Sequence, residues 1–512
     1  MNKEKYLYGA SVQGIQSFIF NTNKLAEIVG ASELVENICT KLFKDSCSSF
    51  KDENLIIGAA GNIKYIFDTK DECEKTVLLF PKTVMDAATG ITISQAVIKV
   101  EETTKLSDAI DNLEIKLKTQ RNKITIPTEI GFMGIERSRR TGGVGVDYQK
   151  NEVIDAATNA KLEAKDSISL FKKIIGENGK INNKLFPFDI EDITESGNNS
   201  WIAVIHADGN GVGNILQNMG NKLKETSDNT KIQQAFSTFS KALDSATKSA
   251  IQTAFRQVVE PDFIQAKAKR YAIRPIIIGG DDVTVIIRAD LALAFTEKFL
   301  LAFETESAKA FSFLKSIGVN GFENGITACA GIAYVKQSYP FHYAVHLAEA
   351  LCKDAKKMVK TEGGPTKNGE IPQSSIAFYK VQETFVEDLE TMKARTMKAG
   401  NVDFYFGPYL LNQEAEFASI TELNYKLKEI ETEAASKNKS KAAGKLRQIV
   451  SELYKDQITA LFMLDRMKEV NSDFYKKLKL DKEKSRITSD KSKSILNDVI
   501  QLHGFNYGNN AN

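Results

Sequence analysis

Apolar and polar residues alternate along this chain in an order that is repeated. From Trp201 the run 201-WIAVIHAD-208 predicts a strand, the glycine-rich GNGVGN a turn, and the periodicity beyond it helices through about Val259. A second apolar run, 275-PIIIGGDDVTVIIRAD-290, is interrupted by two glycines and two aspartates and predicts a hairpin with Gly279 to Asp282 at its tip. A helix from Leu291 to Ile317, a strand in GITACAGIAYV and a helix ending in AEALCKDAKKM complete the unit. The first third of the chain runs in the same order. YLYGASVQGIQSFIF matches the strand-turn-helix opening, NLIIGAAGNIKYIF the hairpin, and GITISQAVIKV the later strand. Three matched segments in one order argue for a duplicated α+β unit, a sheet with helices packed on one face. Residues 413 to 503 differ: they are lysine-rich and helical in period, with Leu446, Ile449 and Leu453 on one stripe.

Registering the two copies makes their polar differences informative. Ser11 falls where Asp208 stands, and Gly58 to Gly61 where Gly279 to Asp282 stand. Like charges buried together are costly unless something compensates them. One copy keeps the apolar scaffold and lacks the acids, which favours a metal ion over solvent as the compensation. Asp208, Asp281 and Asp282, with Gly209 beside them, form the expected metal set for Mg²⁺ or Mn²⁺, which take oxygen ligands. Two such ions polarise a phosphoryl oxygen and lower the pKa of an attacking hydroxyl. Gly279 and Gly280 carry no side chains, so a triphosphate can lie against their backbone. The loop Gly209, Asn210, Gly211 and Gly213 can present N–H groups at a helix start, and Lys356 can meet phosphate as a point charge. Taken singly, an acidic turn is common and Lys356 is an ordinary helix lysine; their order makes the case. His206 receives no role, and Trp201 is expected to anchor its strand by packing.

Composition narrows the classes only a little. The chain has 512 residues, 42% hydrophobic and 26% charged, with a formal charge of +2, an ordinary multidomain globular profile with no strong field for nucleic acid. Five cysteines without a C-x-x-C pair argue against a disulfide framework or zinc knuckle, and a reducing cytoplasmic setting is expected. No apolar run reaches membrane-spanning length, and MNKEKYLYGASVQG has no signal-peptide core.

GGDD on a hairpin, a strand ending in ADG, a helix carrying AEALCKDAK, and GIQSFIF after the first strand together resemble the polymerase-like large subunit of type III CRISPR complexes. The resemblance spans roughly residues 1 to 135 and 195 to 395. It implies two ferredoxin-like palm domains of the nucleotide cyclase and polymerase type, plus an α-helical C-terminal domain. It also implies cyclic oligonucleotide synthesis from NTPs, ATP favoured, by 3′-hydroxyl attack on an α-phosphate, in antiviral defence. Asp208, Asp281 and Asp282 then become the metal and catalytic acids, with an inter-palm nucleotide site.

The expected layout is a degenerate first palm (1–135), an inter-palm helical linker (136–195), a second palm (196–400) and a helical domain (401–512). The family commonly opens with a His-Asp nuclease domain and carries cysteine-rich zinc segments between its palms. Four histidines without an HD pair, and GIERSRRTGGVGV without a cysteine, lead us to expect neither cleavage by such a domain nor zinc.

Two other classes compete. A diguanylate cyclase shares the palm and a GG-acid-acid turn, but its Asp-x-Asp-x-Phe-Lys opening is absent from HADGNGVGN. The alternative is a catalytically weak scaffold or regulatory subunit binding nucleotide, RNA or CRISPR-like protein partners. Its polyanion contacts would be the tail lysines Lys437, Lys441 and Lys445 or the exposed loop 136-ERSRRTGG-143.

Overall fold

The computed structural model describes residues 4–59, 61–101, 103–123, 133–149, 151–176, 182–195, 200–226, 228–320, 325–361, 364–367, 371–382, 387–412, 417–435, 441–490 and 492–506. The first repeat is built from β1 (Lys5–Gln13), α1 (Leu25–Asn37), β2 (Leu55–Ala59), β3 (Asn62–Phe67), α2 (Lys70–Ala87), β4 (Thr92–Val100) and α3 (Leu106–Arg121). Its strands form one antiparallel sheet in the order β2-β3-β1-β4. Among its described residues the connecting region carries a hairpin, Gly145–Gln149 with Glu152–Asp155, and three α-helices, of which α4 (Ser169–Ile175) matters for the site.

The second repeat contains β5 (Trp201–Gly209), α5 (Asn229–Ala254), β6 (Ile273–Gly279), β7 (Asp282–Arg288), α6 (Ala289–Ala310), β8 (Ala328–Lys336) and α7 (Phe341–Lys360). Two more strands, β9 (Ser375–Lys380) and β10 (Tyr409–Leu410), extend the sheet to β10-β9-β8-β5-β7-β6. Its four core strands, β6-β7-β5-β8, reproduce the order of the first sheet. The fold is therefore α+β with two palm units, followed by helices from Ile420 to Asn506.

Strand pairing corrects the sequence register by one residue. Ser11 pairs with Asn62 across β1 and β3, and the tip of that hairpin closes with Ala59 opposite Asn62. In the second sheet the tip closes with Gly279 opposite Asp282. Ala59 to Asn62, not Gly58 to Gly61, thus stand against Gly279 to Asp282. Matching glycine to glycine misled the sequence comparison, because a hairpin's register is counted from its turn. Ala60 lies outside the described residues.

The helices also do not share one face. Eight successive residues of β8, Ala328 to Val335, are buried, the mark of a strand covered on both sides. On one side α7 lies so close that a Cβ on Gly331 would come 1.9 Å from the Ala348 carbonyl oxygen. On the other, Tyr334 stacks on Phe505 of the last helix at 4.7 Å between centroids, and Trp201 meets the same ring edge-on.

Helix α5 ties the repeats together: Gln233 donates to the Glu53 carbonyl at 2.6 Å and Asn229 to the Thr104 carbonyl at 2.9 Å. The arginine loop is docked rather than free, since Arg140 donates to the buried Glu27 carboxylate at 2.8 Å. In the C-terminal helices Leu446, Ile449 and Leu453 form the buried stripe. Lys437 lies outside the described residues, and of Lys441 only the backbone is described. No described helix is long and apolar enough to cross a membrane.

Candidate active site

Asp208 stands at the end of β5, Asp281 in the turn, and Asp282 at the start of β7. The hairpin tip and the strand end converge, and one carboxylate oxygen from each acid lies within 4.8 Å of the others. Gly280 adopts φ 62°, a left-handed conformation that glycine accepts without strain. Gly209 is required by proximity, because a Cβ there would lie 2.9 Å from the Cβ of Asp281.

Burial, and then the Asp208 charge, push the Asp281 and Asp282 carboxyls well above the ordinary carboxylate range. The compensating cation of the protein itself is Lys356. Its ammonium pairs with the Asp208 carboxylate and donates to the Gly209 carbonyl at 2.9 Å. Three acids against one lysine leave the tip short of positive charge.

The remaining expected residues divide. Gly211, at φ 77°, caps the helix Val212–Leu223, and nothing lies within 4 Å of a Cβ on Gly213, so this backbone is open. Gly279 lines the adjoining cavity. Asn210 does not fit its expected nucleotide-binding role. Its amide donates to the Thr327 hydroxyl at 3.0 Å, its oxygen accepts from the Cys329 thiol, and it is buried. The short polar side chain is spent fastening the loop to β8. His206 is likewise internal: its Nδ1 lies 3.0 Å from the Thr284 hydroxyl, and burial lowers its pKa to about 4.

A cavity of about 1050 Å³ runs between the palms, with Asp282 on its wall. Gln16 and Glu36 line it from the first palm, and His342 and His346 from the second. Sequence reasoning missed these four, although the i, i+4 spacing of the two histidines was a usable signal. It also missed two residues that hold the turn. Thr247 of α5 donates to the Gly280 carbonyl at 2.6 Å, and Lys173 of α4 donates to the Ile278 carbonyl at 2.6 Å while pairing with Glu36 at 2.8 Å.

The first palm closes the same place differently. Ser11 Oγ donates to Asn62 Oδ1 at 3.1 Å, and Arg121 donates to Ser11 Oγ at 2.8 Å. Arg121 and Lys356 each stand at the sixteenth position of their helices. Both repeats thus place a cation that reaches back to the strand end, with acids there in one and none at the matching strand positions in the other.

Residues 201–363 match the family model of the Cas10/Cmr2 second palm domain. That segment is similar to the Cas10/Cmr2 second palm. Among solved structures it is similar to a Csm1-Csm4 cassette in complex with cA3, with TM-score 0.53 and 12% identity, covering 98% of this chain and 70% of that one. A Csm1-Csm4 cassette in complex with cA4 gives TM-score 0.52 at 11% identity, with the same coverage. At such identity the likeness shows the fold, and it spans both palms and the helical C-terminal part. No curated protein matches the chain by sequence.

Proposed function

We propose that the chain is a metal-dependent nucleotidyltransferase that makes cyclic oligonucleotides from NTPs, ATP favoured, in type III CRISPR-like antiviral defence in the cytoplasm. The observation that carries this reading is the convergence of Asp208, Asp281 and Asp282, the last of them on the wall of the inter-palm cavity. The cA3 and cA4 complexes of the similar Csm1-Csm4 cassettes support the product class, and their composition supports a CRISPR protein partner. The layout is read as a first palm at 1–135, a linker at 136–195, a second palm at 196–400 and a helical domain at 401–512.

The donor set fits a hard divalent cation, because its side chains are all carboxylates, crowded enough to resist ionising together. Asp208, Asp281 and Asp282, with the Gly209 carbonyl, would hold Mg²⁺ or Mn²⁺. When bound, the cation polarises the phosphoryl oxygen and makes an attacking 3′-hydroxyl more acidic. The chain's own residues do the rest. Thr247 and Lys173 fix the turn through the carbonyls of Gly280 and Ile278. Gly279 and Gly280 leave room for phosphates, the backbone at Gly211 and Gly213 offers N–H groups, and Lys356 offers a positive charge. The cavity stands at the upper end of the roughly 300–1,000 Å³ usual for ligand pockets, which suits two nucleotides side by side. The 3′-hydroxyl of one then attacks the α-phosphate of the other and pyrophosphate leaves.

The test is mass spectrometry of products after incubation with mixed NTPs and Mg²⁺ or Mn²⁺. The double variant Asp281→Ala/Asp282→Ala, folded by circular dichroism, is expected to make none. Turnover equal to the parent would overturn the reading, and RNA binding without turnover in the parent would place the chain among scaffolds.

A further inference from the structure

The ammonium of Lys356 touches two oxygens that matter most to the reading above, the Asp208 carboxylate and the Gly209 carbonyl. We propose that Lys356 is a built-in place-holder: it occupies the cation position in the metal-free protein, and the phosphates of an arriving nucleotide draw it off. Metal and nucleotide then load as a coupled pair. The inference rests on the proposed metal site and adds a rule for how that site fills.

Three observations carry it. An ammonium and a divalent ion that share the same two oxygens exclude each other, so a metal entering the free protein has to break the Lys356 pair. That pair is half-sheltered, with side-chain exposures of 16% for Lys356 and 34% for Asp208, so it is not lost to solvent screening as a surface pair would be.

The second observation is the first palm. There the equivalent position carries Arg121, a planar five-donor group closed on Ser11, where the counterpart carboxylate is absent. Arg121, itself exposed, holds there to a neutral hydroxyl, which offers a metal no carboxylate to compete for. The second palm instead has a point charge on a flexible four-carbon stem, a group able to leave one partner for another.

The third is the position of the helix. The backbone of α7 rests directly on β8 at Gly331. The lysine is thereby delivered to the strand end by a rigid support, with Gly279 and Asp282 opening on the cavity beside it. A triphosphate at the glycine turn would offer that ammonium new oxygens without any change in the fold.

Linkage makes the consequence measurable: a ligand that removes the competitor raises metal affinity, and metal raises ligand affinity by the same factor, roughly 5–150-fold in coupled systems. The experiment is a Mn²⁺ titration of the full chain followed by electron paramagnetic resonance, without nucleotide, for the parent, Lys356→Met and Lys356→Gln. Both variants are expected to bind Mn²⁺ at least about tenfold more tightly than the parent, and to show a larger Mn²⁺-induced rise in melting temperature. In EDTA the same proteins are titrated with α,β-methylene-ATP, which both variants should bind more weakly than the parent.

Equal or weaker Mn²⁺ binding by the variants would overturn the place-holder. Tighter Mn²⁺ binding with unchanged analogue binding would overturn the withdrawal by phosphate. If Asp281→Ala/Asp282→Ala leaves Mn²⁺ binding intact, the metal reading itself fails. If that variant abolishes binding while the Lys356 variants leave it unchanged, only the lysine's role falls.

Discussion

The two palms share a strand order and a hairpin, yet one tip is expensive and the other is not. In the first, Arg121 donates to Ser11 and Ser11 to Asn62, and neither of those two strand residues is an acid. In the second, three carboxylates crowd one lysine, and two of them resist ionisation. The sheets fold alike in both, so the acids are not what the scaffold needs. A part-buried cluster of like charges that the shared scaffold does without marks a candidate functional site.

The helices that deliver the cations differ too. At the eighth position α3 has Leu113, which presses its side chain against Gly9, while α7 has Ala348, whose backbone touches Gly331. Smaller residues on α7 let it lie nearer to its sheet.

The largest effect is expected from turning the second tip into the first. Asp208→Ser with Asp282→Asn should lower product formation by at least about 10²–10³-fold, the range for losing a preorganised electrostatic contact, measured by product mass spectrometry. Retained turnover would show that the tip difference is silent.

The helix contact comes next. Gly331→Ala forces a methyl against backbone that cannot yield, and a loss of about 3 kcal/mol is expected, the upper end for overpacking. Gly9→Ala meets the movable end of Leu113 at 2.7 Å and should cost nearer 1 kcal/mol. Chemical denaturation of both variants checks the order, and equal losses would contradict the closer seating of α7.

A smaller effect concerns pH in the absence of metal. Asp281 and Asp282 have folded pKa values raised above the unfolded values, so between about pH 4 and their raised pKa values the folded state holds more protons. Stability in EDTA should therefore fall as pH rises through that window. Asp281→Asn/Asp282→Asn should flatten the slope, seen in melting temperatures across the range, whereas substitutions at Ser11 or Asn62 to alanine should leave it unchanged.

The smallest expected effect is none. Ser11→Asp with Asn62→Asp, placed in the Asp281→Ala/Asp282→Ala background, should not restore product. Arg121 is poised to pair with the carboxylate introduced on β1, and the first turn still lacks the equivalent of Asp281, Gly61 standing there. Restored synthesis would mean that a palm needs only its acids.

Much of this comparison was legible in the sequence, because strand order and strand-end acids are written in local patterns. Asp208 and the GGDD turn could be read from alternation and glycine placement, and the helical tail from the stripe of Leu446, Ile449 and Leu453. What escaped was carried by contacts between distant segments. Thr247 and Lys173 act on backbone carbonyls 33 and 105 residues away, and nothing in a carbonyl's sequence marks it. Arg121 lies beyond the segments that align. Asn210 sits in an exposed-looking loop, and only the neighbouring strand turns its amide inward. The slip of one residue at the first tip arose because glycine was matched by identity where the ladder pairs by geometry. The second face of the sheet went unseen because a fully apolar strand does not say which side is covered.

The contact of α7 with Gly331 also sets a clock. Helix backbone resting on strand backbone leaves no slack for the helix to lift or slide, so Lys356 leaves Asp208 by rotation about its own side-chain bonds. Exposed side chains rotate in picoseconds to nanoseconds, and this one must first break a sheltered ion pair, whereas a moving helix takes microseconds to milliseconds. Loading of the site then waits on the release of one side chain and not on a rearrangement of the fold.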